Sequence, residues 1–247
     1  MSGKRSVAEP AGDQIDGEPG TLAETAYRRL RRDIVAGAFA PGQPLRLELL
    51  KQRYGLSFSP LREALNRLQS ERLVTSAALR GFSVAPFSIE EMKDATETRI
   101  LVECEALRRS IANGDDDWEA GIVAAYHALD LQARRVKAIA EPSDEDLSAL
   151  ETRHQEFHRA LIRKCKSHRL MNIAEQLYAE TQRYRLPMLA GSVFAAEARD
   201  VPLEHRQIME AALARHTEEA VGLLATHYRR TSDLIERSMP EFDSSSS

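Results

Sequence analysis

A change of pattern at Pro86 constrains the fold of this 247-residue chain more than any other feature. Before it, short helical patterns lead into a weakly alternating stretch; after it, every strong signal is helical. From Thr21, the apolar residues Leu22, Ala26, Leu30, Ile34 and Val35 recur at helical spacing, with Arg28, Arg29, Arg31 and Arg32 among them. This predicts a first helix ending near Gly37. Pro41 and Gly42 then break the chain. Leu45, Leu47, Leu49, Leu50 and Tyr54 predict a short second helix that stops at Gly55. A third begins near Ser59 and Pro60, because proline in the first turn gives up no intrahelical hydrogen bond. Two short helices around a glycine turn match helix-turn-helix geometry. Residues 73–75 and 81–85 alternate weakly and predict a two-stranded hairpin, a wing.

Beyond the boundary, Ser88 with Glu91 forms a capping-box pattern that opens a long helix ending near Asn113 and Gly114. Further helices are predicted from Asp117 through Ala140, from the Pro142-Ser143 break to about Lys164, and over 170–186, 203–215 and 217–238. The stretch 187–201 carries no clear pattern. The expected fold class is therefore mostly α: an N-terminal winged helix-turn-helix at 21–87, then an all-helical antiparallel bundle at 88–240. Residues 1–20, rich in Gly, Pro, Asp and Glu, and 241–247, which close on a serine run, lack the apolar residues that would offset ordering entropy. Both are expected to be disordered tails.

Charge divides at the same boundary. The net charge is -4, yet residues 21–88 hold 11 Lys or Arg against 5 Asp or Glu. The basic third attracts phosphate and the acidic remainder repels it. No uncharged apolar run reaches the length of a membrane span, and the start MSGKRSVAEP lacks a signal peptide's apolar core, so a cytoplasmic protein with no membrane contact is expected. Cys104 and Cys165 are too few for a disulfide framework and form no CxxC, and are read as buried, reduced thiols.

In a helix-turn-helix the second helix enters the major groove while neighbouring elements hold the phosphate backbone. Ser57, Phe58, Ser59 and Arg62 fall at the start of that helix, where side chains reach base edges. Arg62 suits a bidentate contact with guanine, worth about 1–3 kcal/mol of discrimination. Phe58 can touch thymine methyl groups or simply pack. Arg46 and Arg80, with Gly81 beside it in the wing, suit phosphate contacts. Any one of these arginines alone is as well explained as solvated surface charge.

In the third helix of the C-terminal region, His154 and His158 lie four residues apart and share one face. His205 and His227 fall on the last two helices, which an antiparallel hairpin can bring to the same cavity. Four nitrogen donors suit zinc first, then nickel, copper or iron, ahead of magnesium or calcium. An isolated His-x-x-x-His pair is more often two surface histidines. His127, His168 and His216 are read as surface residues.

These patterns together resemble a known family. Gly37, Pro41-Gly42, Gly55-Leu56-Ser57, Pro60-Leu61-Arg62-Glu63-Ala64 and Arg80-Gly81 reproduce the winged-helix pattern of GntR-family regulators. The family often carries basic residues where this chain has Glu48 and Phe58. Residues from 88 to about 239 resemble the FCD effector domain of the FadR subfamily, whose metal-binding pattern reads here as His154, Phe157-His158, Glu204-His205 and His227. His154 stands where relatives carry Asp or Asn, and the resemblance implies a ligand there that an imidazole can still supply. Arg99 matches an arginine kept near the family's pocket, where a guanidinium clamps a carboxylate; a salt bridge with Glu103 or Glu105 is the structural alternative. Arg183 and Arg185 are further candidates. The wording GLSFSPLREAL is most similar to the branch containing repressors of glutarate and 4-aminobutyrate catabolism.

The resemblance implies a homodimer on double-stranded DNA with a near-palindromic operator, released by a small carboxylate such as glutarate held at a divalent transition metal. Two other readings remain: a metal-responsive regulator, in which the ion is the signal, and a metal-dependent enzyme. The enzyme reading lacks an HExxH motif and a general base with a positioned nucleophile.

Overall fold

The computed structural model describes residues 21–77, 81–189 and 199–238. The expected tails and Arg80 lie outside them. Among the described residues there are nine helices and one two-stranded sheet. The winged helix comprises α1 (Leu22–Val35), α2 (Leu47–Tyr54), α3 (Phe58–Ser70), β1 (Val74–Ala77) and β2 (Gly81–Val84). The strands pair antiparallel with Val74 opposite Val84. Thr21 caps α1, its Oγ1 accepting from the Glu24 amide at 3.1 Å. Leu30, Leu50, Leu61, Leu65, Leu68, Leu73 and Val84 close a core between the three helices and the sheet. Full burial of each leucine is worth about 1.5–3 kcal/mol.

The remaining helices are α4 (Ile89–Asn113), α5 (Asp116–Lys137), α6 (Asp144–Ile162), α7 (His168–Leu189), α8 (Val201–Leu213) and α9 (Thr217–Ser238). They pack around Leu107, Trp118, Ile122, Phe157, Leu161, Ile208 and Leu224. The buried Trp118 indole donates to the Ala160 carbonyl at 3.0 Å, tying α5 to α6. A smaller cluster of Met92, Tyr184, Leu234 and Ile235, with Phe87 and Ile89 against it, joins the segment after the wing to α4, α7 and α9.

Helix ends differ from expectation where caps act. α5 starts at Asp116 because Asp115 accepts from the Trp118 amide at 3.0 Å. α7 continues past 186 to Leu189. α8 starts at Val201 because Asp200 accepts from the Leu203 amide at 2.9 Å, with proline in the first turn. Ser88 does cap α4, accepting from the Glu91 amide at 3.2 Å. Cys104 and Cys165 are buried free thiols. No described helix is long and apolar enough to cross a membrane.

Candidate DNA interface and metal centre

The helix-turn-helix is set by Asp33 and Gly55. Asp33 is buried near the end of α1 and accepts from the Tyr54 hydroxyl at 2.8 Å and from Arg53 at 3.0 and 3.2 Å, fastening α2 to α1. Burial, and then Asp33 beside it, push the Tyr54 hydroxyl well above its ordinary range. Gly55 ends α2 at φ +67°, its amide donating to the Lys51 carbonyl at 2.9 Å. A side chain there would strain the turn.

This geometry leaves Ser57, Phe58, Ser59 and Arg62 exposed at the first turns of α3, while Leu61, Ala64, Leu65 and Leu68 face inward. The Lys51 ammonium sits 5.0 Å from the Phe58 ring centroid, so a cation accompanies the aromatic at this surface. Arg46, at the N-cap of α2, is exposed. Neither Arg46 nor Arg62 has an acidic partner among the described residues, which leaves both free for phosphate or bases. Gly81, at φ +78°, opens β2.

The second site is inside the C-terminal bundle. His154 and His158 from α6, His205 from α8 and His227 from α9 each offer a ligand atom, all within 4.8 Å of one another. The His158, His205 and His227 rings are buried. The Tyr228 hydroxyl donates its one proton to Glu103 at 2.5 Å and so accepts from His158 Nδ1–H at 2.9 Å. His227 Nδ1 meets Glu204 at 2.8 Å. Carboxylates behind ligating histidines fix the tautomer and aim the opposite nitrogen into the site.

For His158 that opposite nitrogen is unpartnered. Nε2 of His158 and Nε2 of His205 are both buried without a hydrogen-bond partner. An unsatisfied buried polar atom costs about 1–3 kcal/mol, so two converging on one point fit a shared cation. Burial, with the neighbouring cationic groups adding, holds His154, His158 and His205 well below the ordinary histidine value. Burial also lowers His227 to about 4, with Glu204 partly opposing. All four are neutral near pH 7, as ligation requires. Glu204 is held well below the usual carboxylate range: burial would raise it, but hydrogen bonds from His227 and Arg199 prevail.

The candidate arginines separate. Arg99 is buried and donates to Glu103 at 2.5 Å and to Thr181 and Tyr228 at 3.2 Å. Arg185 is buried and donates to Glu151 and to the Tyr178 hydroxyl at 3.1 Å, and its Nη1 lies 2.7 Å from Nδ1 and 3.1 Å from Nε2 of His154, donating to whichever of the two carries the lone pair. Arg99 and Arg185 both line a cavity of ≈ 30 Å³ with Met92, Thr96, Thr181 and Tyr228. Arg183 does not join them. It donates to the Ala85 carbonyl at 3.0 Å and the Pro86 carbonyl at 3.1 Å, on the segment between the wing and α4. His127, His168 and His216 are exposed.

Sequence reasoning missed Glu151, Tyr178, Arg199 and Tyr228. Arg199 grips Glu204 at 2.7 and 2.9 Å and reaches the His227 carbonyl at 3.0 Å. It sits in the stretch without a pattern, so no periodic signal marked it. Tyr228 directly follows His227 in sequence, but it carries no motif of its own.

Comparison with known proteins decides the family. Residues 22–84 match the bacterial regulatory proteins of the gntR family, and residues 94–230 match the FCD domain. The chain is a member of the GntR family. It is 37% identical over 235 residues to an uncharacterized HTH-type transcriptional regulator BphR of Paraburkholderia xenovorans, covering 95% of this chain and 93% of that protein. It is 36% identical to the HTH-type transcriptional repressor GlaR of Escherichia coli, covering 86% and 95%. The E. coli McbR/YncC structure shares the fold at a TM-score of 0.73 and 20% identity, covering 90% of this chain and all of that one. A GntR regulator from Rhodococcus sp. RHA1 does so at 0.69 and 24%, covering 87% and 98%. This GntR regulator is thus a DNA-binding transcriptional regulator from a family of regulators, not enzymes. Members bind DNA operators and are typically dimeric, with small-molecule effectors, and FCD domains often bind metal.

Proposed function

We propose that this regulator is a dimeric repressor whose near-palindromic operator is released when a small carboxylate binds beside a divalent transition metal, zinc foremost, in the C-terminal bundle. The observation that carries the reading is the pair of buried, unpartnered Nε2 atoms of His158 and His205 within a four-histidine cluster. His154, His158, His205 and His227 would hold the ion, which would supply a Lewis-acidic position for a carboxylate oxygen. Arg185, against His154, and Arg99, against the Tyr228 hydroxyl that meets His158, would take the remaining negative charge through forked hydrogen bonds. Arg62, Ser57, Phe58 and Ser59 would read bases, and Arg46, Arg80 and Gly81 would hold the backbone. GlaR, 36% identical, is named a repressor, which supports that sign.

A second reading, with the metal alone as signal, is favoured by one observation. The cavity beside Arg99 and Arg185, ≈ 30 Å³, has room for about one water, so a five-carbon diacid enters only if these side chains move. Thermal-shift screening of mono- and dicarboxylates, glutarate included, before and after chelation separates the readings. A carboxylate that stabilises only the metal-loaded protein supports the first. No carboxylate response from metal-loaded protein, with DNA binding that follows metal alone, supports the second.

A further inference from the structure

We propose that Arg183 is the positioning residue that passes the state of the four-histidine site to the winged helix, through its grip on the carbonyls of Ala85 and Pro86. The inference rests on the reading that the histidines hold a metal, and goes beyond it in naming the residue that couples the two halves of the chain.

The linker is short and is held at its first two residues. β2 ends at Val84, α4 begins at Ile89, and the Ala85 amide donates back to the Leu73 carbonyl at 3.0 Å, so the same residue closes the winged helix on one side and is held by Arg183 on the other. Arg183 is buried, and its NH2 also donates to the Tyr184 hydroxyl at 2.5 Å. Its nearest carboxylate, Glu91, is 3.9 Å away and largely exposed. A buried guanidinium that spends its donors on two consecutive carbonyls and a hydroxyl, rather than on a carboxylate, carries a desolvation cost that ordinary linker packing would not require. Its planar fork fixes the direction of the peptide as well as its distance.

The other end of the lever is on the same helix. Tyr178, Thr181 and Arg185 occupy one face of α7, where Tyr178 and Arg185 engage His154 and Thr181 meets Arg99. Arg183 points from a different face to the linker. His154 can offer a ring nitrogen to a cation only by giving up the Arg185 N–H that now occupies it, since one lone pair serves one partner. Loading the site therefore changes what holds Arg185, two residues from the linker clamp. The winged helix also has space to respond: a cleft of ≈ 1570 Å³ lies between α1, lined by Arg28 and Arg32, and α6 and α7, lined by Glu145 and Glu175.

The test is hydrogen exchange of the full-length protein with and without Zn2+, alongside calorimetric zinc titration, for wild type, Arg183→Lys and Arg183→Met. Lysine keeps the charge but lacks the planar fork that sets the direction of both carbonyl contacts; either variant serves if the other fails to fold. Wild type is expected to change amide protection at 71–77 and 81–88 on zinc binding. The variants are expected to bind zinc within about twofold of wild type while that wing and linker response falls at least threefold. Zinc binding with an unaltered wing response in the variants, or with none in wild type, overturns the coupling role. Absence of zinc binding in wild type overturns the metal reading itself, and the proposal with it.

Discussion

At the residue scale, the metal centre depends on histidines whose burial favours the neutral ring. His158 and His205 each present one buried nitrogen without a partner, while Tyr228 and Glu204 fix the rings behind His158 and His227. His205→Ala is expected to cut zinc retention after desalting from one ion per chain to well below one, with the helical circular-dichroism signal preserved; elemental analysis reads the ratio. The metal-free protein should be acid-sensitive. The His227 value falls from the ordinary 6.5 to about 4 through burial, so the folded state binds fewer protons than the unfolded chain below 6.5. The stability this contributes is complete above about 6.5 and is lost as pH falls toward about 4. Urea midpoints measured from pH 7.5 to 4.5 on chelated protein should decline through that window; a flat profile would contradict the burial of neutral histidine. The four histidines were legible in sequence because His154 and His158 share a helix face at i, i+4, and because Phe157-His158, Glu204-His205 and His227 together fall in a family pattern. Glu103 and Tyr228 behind His158 were not, because they come from α4 and α9 and meet only in the folded bundle.

At the element scale, α3 and α7 do different work. α3 presents Arg62 on its exposed face, and Arg62→Ala is expected to weaken operator binding by about 1–3 kcal/mol and relax selectivity at one base pair. Arg46→Ala should weaken binding to all sequences alike and lower the salt dependence by about one counterion; binding isotherms on matched and mismatched duplexes at several salt concentrations distinguish the two. Asp33→Ala removes the acceptor of Tyr54 and Arg53 and is expected to destabilise the winged helix by about 2 kcal/mol, read by denaturant unfolding. The helices themselves were legible from apolar spacing, caps and the Gly55 turn. Their ends were less so: Asp115 and Asp200 start α5 and α8 earlier than the apolar pattern does. Arg183, grouped by sequence with the pocket arginines, differs from Arg185 by a rotation around α7 that only the packed helix resolves.

At the scale of the whole molecule, the boundary marked by Pro86 separates a basic winged helix from a helical bundle, joined by a four-residue segment that α7 grips. A sensor of this kind acts only if its bound state has a different affinity for DNA-competent and DNA-incompetent arrangements. The most direct measurement is the affinity of zinc-loaded protein for a duplex selected from a random pool, titrated with glutarate and a panel of short mono- and dicarboxylates. The account predicts that one acid weakens binding about 5- to 150-fold, and that the effect disappears in His205→Ala. Unchanged DNA affinity across the whole panel, with zinc shown by elemental analysis to be in place, would contradict it.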